Sequence, residues 1–430
     1  MSPDHHDVAI VAGLRTPFAK RMTELRSLAA HELGALVASE LLERQDLDPA
    51  EVERVVFGRV VPALDVHNPA REVVLRTGLP ASVEAHTVSK ACITGYQTVV
   101  DLLLAIRDGG LGCGLAAGAD SASQVPVGVN DAMRDALLGA ARAEGSLDKL
   151  KAFREVRPAD LVPHAPDLTE PTTGETMGEG AERMAKTNSI SRQDQDAFAH
   201  RSHVRAAAAW KQGRFDGQVM PLYAPPDYEQ MLERDNLVRE DSELERYAEL
   251  PPVFDREHGT VTAGNSSPLT DGAAAVLLMA SERARALGHE PLGFLRAWAF
   301  TAVDPAGQLL IGPAYAIPAV LDRAGLELDA IDLVDLHEAF SSAVLSVLDA
   351  LASDRFAREQ LGRSRAVGEI DPDRLNVDGG SIALGHPFAA TGIRQIVQTL
   401  TELRRRGGGL GLCAACAAGG MGAAAIVEAA

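Results

Sequence analysis

Hydrophobic positions in the first quarter of the chain fall into short runs separated by longer stretches of helical spacing. The stretch 27–44 has the apolar repeat of an amphipathic helix, and the stretch after Gly95 is apolar on nearly all sides, which predicts a buried helix. Short runs rich in β-branched residues predict strands. The predicted strands are 8–12, 55–57, 86–88 and 115–117, with a polar loop at 118–123. Strands that alternate with helices predict an α/β fold with a mostly parallel core sheet.

The pattern changes in the middle of the chain. From Gln124 to about residue 256 the chain is richer in charged residues and proline, which indicates an inserted lobe. A helix is predicted at 191–212 because Ser191, followed by Asp194, is a typical helix start. The segment 225–252 is expected to be the least ordered part of the lobe. Strand patterns resume at 260–262 and 274–279.

The last third of the chain repeats features of the first. Gly95 opens an apolar helix that ends in a glycine-rich turn and a strand, and Gly392, 297 residues further on, opens a similar unit. The shared order of elements favours a duplication over a chance likeness of glycine-rich turns. The expected organisation is an N-terminal half at 1–124 completed by 257–282, an inserted loop domain at 125–256, and a C-terminal half at 283–430.

Composition narrows the classes of function. The chain has 430 residues, too many for one ordinary core, and a net charge of −19 from 41 basic and 60 acidic residues. That charge argues against non-specific binding of nucleic acid, which needs a basic surface. It leaves room for an anionic ligand held by local basic groups.

The four cysteines do not form a disulfide scaffold in a chain of this length, so free thiols and a reducing, cytoplasmic compartment are expected. Cys413 and Cys416 form a C-x-x-C pair, but no second pair or matching histidines complete a zinc site, and no metal is expected. The polar N-terminus lacks a signal core, and no apolar run approaches the ~18 residues of a membrane span.

Two residues are candidates for a nucleophile and its base. Cys92 precedes the buried helix, where the helix dipole is expected to lower the thiol pKa and favour thiolate. Taken alone, a cysteine at this position is more often a small buried apolar residue. His386 lies between Gly385 and Pro387, a tight loop that fits a general base and fits a structural histidine equally well.

Two further residues come from the second half. His337 follows the predicted strand 331–336, and α/β folds place their sites at the carboxyl ends of strands. Cys416 is expected to follow a strand and precedes a glycine-rich turn at 417–422, whose backbone N–H groups could face an anion.

These segments resemble the motifs of the thiolase family, in family order and over nearly the whole chain. The resemblance implies the thiolase fold, in which two duplicated five-stranded α/β halves form a layered αβαβα core with an inserted loop domain that covers coenzyme A. The matching segments are 88–95 (VSKACITG), 262–267 (TAGNSS) with 271–274 (DGAA), 337–340 (HEAF), 385–387 (GHP) and 416–422 (CAAGGMG).

The resemblance also implies roles for the candidate residues. His386 would take the proton of Cys92, which attacks a 3-ketoacyl-CoA, and Cys416 would protonate the departing acetyl-CoA enolate. His386 and a water held by His337 would stabilise the enolate. The backbone N–H groups of Cys92 and Ala418 would stabilise the tetrahedral intermediate, although many thiolases have glycine where this chain has Ala418.

Coenzyme A is implied as a co-substrate, with no tightly bound cofactor. Ser267 would bind its pantetheine, although the residue could equally be a turn former. Glu338 looks catalytic by type, but a structural carboxylate is the better interpretation. The other residues expected to line the coenzyme A tunnel are Met177, Ala263, Ala339 and Phe340.

Within the family the chain looks closest to the beta subunit of the fatty-acid oxidation trifunctional complex and its bacterial relatives. The features behind this are His337 where most thiolases have asparagine, Thr176 before Met177, and the segments 147–171 and 304–313. The implied assembly is a homodimer or a dimer of dimers, with a hydratase–dehydrogenase alpha subunit as a possible partner and at most peripheral membrane contact.

Three alternatives carry different expectations. A decarboxylating ketoacyl synthase would lack a second acidic cysteine such as Cys416, and a non-catalytic lipid-binding relative should have lost Cys92 or His386. A short-chain acetoacetyl-CoA thiolase working in the condensing direction is the serious alternative. Acyl chain length and the physiological direction stay open at this point.

Overall fold

A computed structural model describes residues 5–163 and 169–430. The strands are β1 (Val8–Arg15), β2 (Ala19–Lys20), β3 (Arg54–Gly58), β4 (Glu84–Val88), β5 (Cys113–Ser121), β6 (Leu222–Tyr223), β7 (Met231–Leu232), β8 (Thr270–Ala280), β9 (Gly293–Ala302), β10 (Leu333–Leu336), β11 (Leu410–Ala417) and β12 (Met421–Ala429). The α-helices are α1 (Ala30–Arg44), α2 (Pro69–Arg76), α3 (Thr94–Arg107), α4 (Asp131–Arg142), α5 (Ser146–Lys151), α6 (Met177–Thr187), α7 (Arg192–Lys211), α8 (Leu244–Ala248), α9 (Ser281–Leu287), α10 (Pro313–Ala324), α11 (Ser341–Ala352), α12 (Asp354–Gln360), α13 (Ser381–Leu384) and α14 (Phe388–Arg406).

The large sheet orders its strands as β10-β11-β12-β9-β1-β8-β5-β3-β4, and β2 adds a short pairing to β8. β3 is parallel to β4 and β5, and β10 is parallel to β11, whereas β8 and β12 run antiparallel to both of their neighbours on this path. The sheet is therefore mixed, and the prediction of a mostly parallel sheet is wrong. Strands buried on both faces have continuous apolar runs, which do not reveal strand direction.

The same pairing scheme occurs twice. The path β1-β8-β5-β3-β4 in the first half matches β9-β12-β11-β10 in the second, with two antiparallel pairings followed by a parallel one. The fifth position of the second half is a parallel bridge between Val334 and Leu375. The halves join through two residue pairs of β1 and β9, Ala9 with Phe294 and Ile10 with Gly293. This repeat confirms the predicted duplication.

Helices cover both outer faces of the sheet and fill the space between its halves. α1 and α2 pack on the first half, α10 with α11 beside it packs on the second, and α3 and α14 pack against each other between them. The alternation along β8 reflects this arrangement. Ala275 and Leu277 lie in the outer core, whereas Val276 and Leu278 lie in the central one. The result is the expected αβαβα order of layers.

Between β5 and β8 the chain leaves the sheet and forms α4 to α8 and the small β6–β7 pair. α6 and α7 pack on α11, and α7 also packs on α13, beside the start of α14. The helix predicted at 191–212 is confirmed as α7, whose first turn is capped by the Ser191 side chain. The segment 225–252 contains only β7 and α8. The boundaries of the loop domain stay a prediction, and residues 164–168 of the segment 147–171 lie outside the described residues.

Some local predictions are wrong. Residues 260–262 are not a strand, because the Glu182 carboxylate accepts the N–H groups of Thr260 and Val261 that a strand would pair. The polar segment 118–123 is not simply a loop, since β5 continues to Ser121. The predicted burial of α3 is confirmed for most of the helix, although Leu104 faces outward with 45% of its surface exposed.

All four cysteines are free. Cys416 lies within β11 near its end, rather than after the strand as predicted. Cys413 and Cys416 face opposite sides of β11, because side chains three residues apart in a strand point to opposite faces. Cys413 packs in the central core and Cys416 in the core of the second half. The C-x-x-C pair therefore does not act as one unit.

Within residues 5–163 and 169–430, no helix is both long enough and apolar enough to cross a membrane. The same described ranges hold no cluster of histidine, cysteine and carboxylate side chains arranged to bind a metal ion.

Candidate active site

Cys92 lies in a tight turn between β4 and α3. Ala91, just before it, has a φ of 45°, a left-handed conformation that costs a residue with a side chain about 1–3 kcal/mol. Thr94 stabilises the turn from both sides, since its hydroxyl accepts the N–H of Lys90 at 2.7 Å and donates to the carbonyl of Ala91 at 2.6 Å. This turn places Cys92 two residues before the start of α3, next to the N-cap residue Ile93.

His337 and His386 come from distant parts of the chain and lie side by side. Their ring centroids are 4.1 Å apart, with an angle of 41° between the ring planes. Nδ1 of His337 is 2.8 Å from the hydroxyl of Ser381, and Nδ1 of His386 is 2.7 Å from the hydroxyl of Thr391. Both Nε2 atoms are buried and have no hydrogen-bond partner in the described part of the chain. Both rings are therefore fixed at Nδ1 and can serve a ligand through Nε2.

Burial keeps both imidazoles neutral at pH 7. It lowers the pKa of His386 to about 3, with a further contribution from the Arg394 guanidinium. The pKa of His337 is well below its usual range for the same main reason, and His386 and Arg394 lower it further. Arg394 itself is buried in an ion pair with Asp335 at 2.6 Å. A neutral imidazole can accept a proton, as a general base must.

The Cys92 thiol does not have the lowered pKa that its position before α3 predicts. Cys92 as a residue is half-buried, yet desolvation is the largest influence on its thiol and raises the pKa to about 12. The carboxylate of Asp120 raises it further, while the N–H groups of Ala418 and Cys92 oppose the increase. Desolvation and a like charge outweigh the helix dipole. Cys92 and His386 are therefore a neutral thiol and a neutral imidazole at pH 7.

Cys416 is close enough to Cys92 for the two thiols to influence each other. Burial raises the pKa of Cys416, and Cys92 is the next largest cause. The turn after β11 uses Gly419 and Gly420 in left-handed conformations, with φ of 77° and 69°. Ala418 is not among the residues with positive φ, so its methyl group fits the turn, and its N–H faces the Cys92 thiol.

Glu338 has a structural environment. Its carboxylate accepts hydrogen bonds from the Ser202 hydroxyl at 2.6 Å, the Asn376 amide at 2.7 Å and the backbone N–H of Ile382 at 3.2 Å. These bonds join α7 of the lobe to the second half and to α13, beside Ser381. Burial raises the pKa of Glu338, and the three donors oppose that shift. The interpretation of Glu338 as a structural carboxylate agrees with these contacts.

The segment expected to bind coenzyme A lies against the HEAF motif. The N–H of Ser267 donates to the carbonyl of Ala339 at 2.9 Å, and Ser266 forms a β-bridge with Phe340. Met177 and Phe340 are partly buried beside the core of the second half, and Ala263 is exposed. The structure thus brings Ser267, Ala339 and Phe340 together.

Sequence reasoning missed several residues that support the site. Ser381 lies five residues before His386 and Thr391 five residues after it. A hydroxyl residue so close in sequence to a candidate histidine is the pattern that could have indicated a hydrogen-bond partner. Asp120 falls in the segment predicted as a polar loop. A charged residue so close to a strand of small residues is unusual, and this position was the sequence feature that could have pointed to a role. The contact of the Glu170 carboxylate with the N–H of Gly419, at 2.7 Å, had no sequence signal.

The twofold α/β repeat, with the imidazoles of His337 and His386 side by side and the thiols of Cys92 and Cys416 close to each other, defines the thiolase fold class. Family models described as "Thiolase, N-terminal domain" and "Thiolase, C-terminal domain" match residues 8–282 and 289–429. The chain belongs to the thiolase family.

Proteins named 3-ketoacyl-CoA thiolase are similar over nearly the full length. The one from Serratia proteamaculans (strain 568) is 52% identical over 421 residues, which cover 98% of this chain and 96% of that protein. The one from Pseudoalteromonas translucida (strain TAC 125) is 50% identical, covering 100% of this chain and 98% of the relative.

Solved structures agree in fold. The human mitochondrial 3-ketoacyl-CoA thiolase in complex with CoA is 30% identical, with a TM-score of 0.82 and coverage of 99% of this chain and 98% of that chain. The Bacillus anthracis acetyl-CoA acetyltransferase is 29% identical, with a TM-score of 0.85 and full coverage of both chains.

Proposed function

We propose that the protein is a 3-ketoacyl-CoA thiolase that uses coenzyme A to cleave a 3-ketoacyl-CoA into acetyl-CoA and an acyl-CoA two carbons shorter. The observation that carries this proposal is the pair of buried imidazoles with free Nε2 atoms, His337 and His386. The thiols of Cys92 and Cys416, which are close enough to influence each other, support it. The names of the relatives and their identity over the whole chain support the same activity.

In the proposed first step, Nε2 of His386 takes the proton of Cys92 as the sulfur attacks the 3-keto carbonyl carbon. Because the Cys92 thiol and the His386 imidazole are both neutral before the reaction, the proton moves to His386 as the sulfur attacks. The backbone N–H groups of Cys92 and Ala418 stabilise the oxyanion that forms. Loss of one such donor typically costs about 10²–10³-fold in rate.

The carbon–carbon bond between the alpha and beta carbons then breaks, and its electron pair leaves as the enolate of acetyl-CoA. Cys416 donates its proton to the alpha carbon. In the second half-reaction Cys416, now a thiolate, takes the proton of free coenzyme A as the coenzyme A sulfur attacks the thioester on Cys92. Cys92 leaves as a thiolate and regains its proton from His386.

The surroundings of His337 suit an oxyanion donor. The Ser381 hydroxyl oxygen lies 3.4 Å from a guanidinium nitrogen of Arg394, which can only donate, so the hydroxyl proton is free to be donated to Nδ1 of His337. In the proposed arrangement the ring proton of His337 is therefore on Nε2. That N–H would hold the water that, together with protonated His386, stabilises the enolate.

Coenzyme A is proposed to lie along the loop 262–268, with Ser267 binding its pantetheine. The contacts of Ser267 with Ala339 and of Ser266 with Phe340 support this path. The remaining proposed contacts are Ala263, within the same loop, and Met177, at the start of α6. The human mitochondrial 3-ketoacyl-CoA thiolase was solved in complex with CoA, which supports the same class of co-substrate here.

Replacing Cys416 by alanine is expected to suppress exchange of the alpha proton of acetyl-CoA by about 10²–10⁴-fold, the usual contribution of a positioned acid–base group. The exchange is followed by NMR in D₂O. Acylation of Cys92 by an acyl-CoA that needs no alpha-proton transfer should persist in the same variant. Exchange at the wild-type rate would remove Cys416 from the mechanism.

Chain-length preference tests the function within the family. We expect thiolysis of 3-ketoacyl-CoA substrates well beyond C4, because the relatives are named 3-ketoacyl-CoA thiolase. The alternative, a short-chain acetoacetyl-CoA thiolase, is supported by the likeness to the Bacillus anthracis acetyl-CoA acetyltransferase. Rates of acetyl-CoA release for a C4 to C16 series distinguish the two, and activity confined to C4 would contradict the proposal.

The same proposal includes a cytoplasmic location, a homodimer or dimer of dimers, and a hydratase–dehydrogenase alpha subunit as partner. β4 ends the sheet in the first half, and no strand of the described residues pairs with its outer edge, which suits pairing of two copies through that half. Light scattering of the purified chain, alone and with the alpha subunit, measures both assemblies.

A further inference from the structure

Asp120 is a buried carboxylate that the steps above do not use. It lies near the end of β5 and has none of its surface exposed. One oxygen accepts the N–H groups of Val60 at 2.9 Å and Val61 at 2.7 Å, and the other accepts the N–H of Ala389 at 2.9 Å. A buried charge is stable only with such compensation, and here three backbone donors supply it.

These donors come from both halves of the fold. Val60 and Val61 follow β3 in the first half, whereas Ala389 is in the first turn of α14, three residues after His386. The residue before α14 is Pro387, whose side chain cannot cap a helix. Asp120 therefore satisfies an N–H group that the start of α14 leaves without a partner, and its charge favours the positive end of that helix.

The start of α14 is seated tightly on the elements around Cys92. A methyl group on Gly118 would lie 2.4 Å from the carbonyl oxygen of Ala389, and one on Gly95 would lie 2.5 Å from the same atom. Gly95 is three residues after Cys92. A small displacement of Ala389 would thus change the position of His386 relative to Cys92.

The charge of Asp120 also acts on the nucleophile. After burial, Asp120 is the largest influence that raises the pKa of Cys92. The positive group facing Asp120 is the guanidinium of Arg59, and Cys416 is the further titratable group beside Cys92. Burial raises the pKa of Asp120 itself to about 7, against the effect of its three N–H donors.

We infer that Asp120 is a positioning residue of this active site: its carboxylate holds the His386 loop in register with the Cys92 turn, and its charge adds to burial in disfavouring the Cys92 thiolate. The expected effect of Asp120 on catalysis rests on the proposed function. Its effect on the protonation of the Cys92 thiol does not, because that protonation can be measured without substrate.

The test compares Asp120→Asn with wild type in two measurements. The first is the rate at which iodoacetamide alkylates Cys92 from pH 6 to 10, followed by mass spectrometry of the Cys92 peptide. Since the thiolate is the reacting form, we expect about a tenfold higher rate for Asp120→Asn near pH 8, equal to a downward shift of about one pH unit in the profile. The second is kcat/KM for thiolysis, which should fall about 10²-fold because His386 is displaced.

Asp271→Asn is the matched control. Asp271 is a buried carboxylate in β8, directly opposite Ser121 of β5, and it is held by Ser121 and Ser123. It is not among the groups that shift the pKa of Cys92. We expect its alkylation profile to match that of wild type. The same profile shift in Asp271→Asn and Asp120→Asn, or a wild-type profile in Asp120→Asn, would overturn the inference.

Asp120→Glu decides the question if Asp120→Asn does not fold. Glutamate keeps the charge but its extra methylene displaces the carboxylate, so the alkylation profile should match that of wild type while kcat/KM falls. Wild-type kcat/KM in this variant would refute the positioning role. If the wild-type protein cleaves no 3-ketoacyl-CoA, the proposed function is refuted. The alkylation rates of the Asp120 variants would then decide the role of Asp120.

Discussion

Replacing Cys92 by serine is expected to lower the rate of acetyl-CoA release from a 3-ketoacyl-CoA on the order of 10⁴-fold. Serine keeps the size of the side chain and the turn made by Ala91 and Thr94, so the fold should be retained. The serine hydroxyl is a much weaker nucleophile, because its pKa lies far above that of a thiol. The neutral imidazole of His386 would therefore remove its proton far less readily. Losses of this order are usual when a covalent nucleophile is disabled.

The measurement is the release of acetyl-CoA together with mass spectrometry of the acyl-enzyme. Cys413→Ser is the matched control, since Cys413 is also a buried thiol but packs in the central core near Thr399, on the opposite face of β11 from Cys416. It should keep most of the activity and lose only stability. Undiminished release by Cys92→Ser would end the assignment of Cys92 as the nucleophile.

Replacing His386 by glutamine is expected to lower kcat/KM by about 10³-fold or more. The variant loses the base that activates Cys92 and, once protonated, the donor to the enolate. General acid–base groups contribute about 10²–10⁴-fold, and an oxyanion donor about 10²–10³-fold. Because burial holds the pKa of His386 at about 3, the wild-type imidazole stays neutral from pH 5 upward, and kcat/KM should show no acid limb from this group above pH 5.

His203→Gln is the control for His386. His203 is another buried histidine, with its pKa lowered to about 4 mainly by burial, and its Nδ1 accepts the N–H of Arg239 in the lobe. We expect it to change stability and leave kcat/KM within a small factor. Equal losses of kcat/KM in both variants would mean that His386 acts only through the fold.

The candidate residues were predictable from sequence to different degrees. Cys92, His386 and Cys416 stand in short segments whose glycine and proline neighbours leave few backbone choices, and those segments also carry the family resemblance. Asp120, Ser381 and Thr391 act through hydrogen bonds between distant segments. Such contacts leave no local pattern, because the partner of each hydroxyl or carboxylate is chosen by packing.

The state of the Cys92 thiol is the clearest case in which local reasoning was insufficient. The position before α3 predicts a lowered pKa, and that reasoning is correct for the helix dipole alone. Desolvation and the charge of Asp120 depend on groups that surround the sulfur in space, and together they raise the pKa to about 12.

The sequence by itself determined the α/β class, the duplication, the identity of the motif residues and the family to which the chain belongs. These follow from hydrophobic period, glycine-rich turns and short motifs, all of which are local. Only the tertiary structure decided that β8 and β12 enter the sheet antiparallel to their neighbours, that the imidazoles of His337 and His386 lie 4.1 Å apart, and that Cys92 rests as a neutral thiol. Strand direction, ring contact and desolvation are set by residues far apart in the chain, so they exist only once the chain has folded.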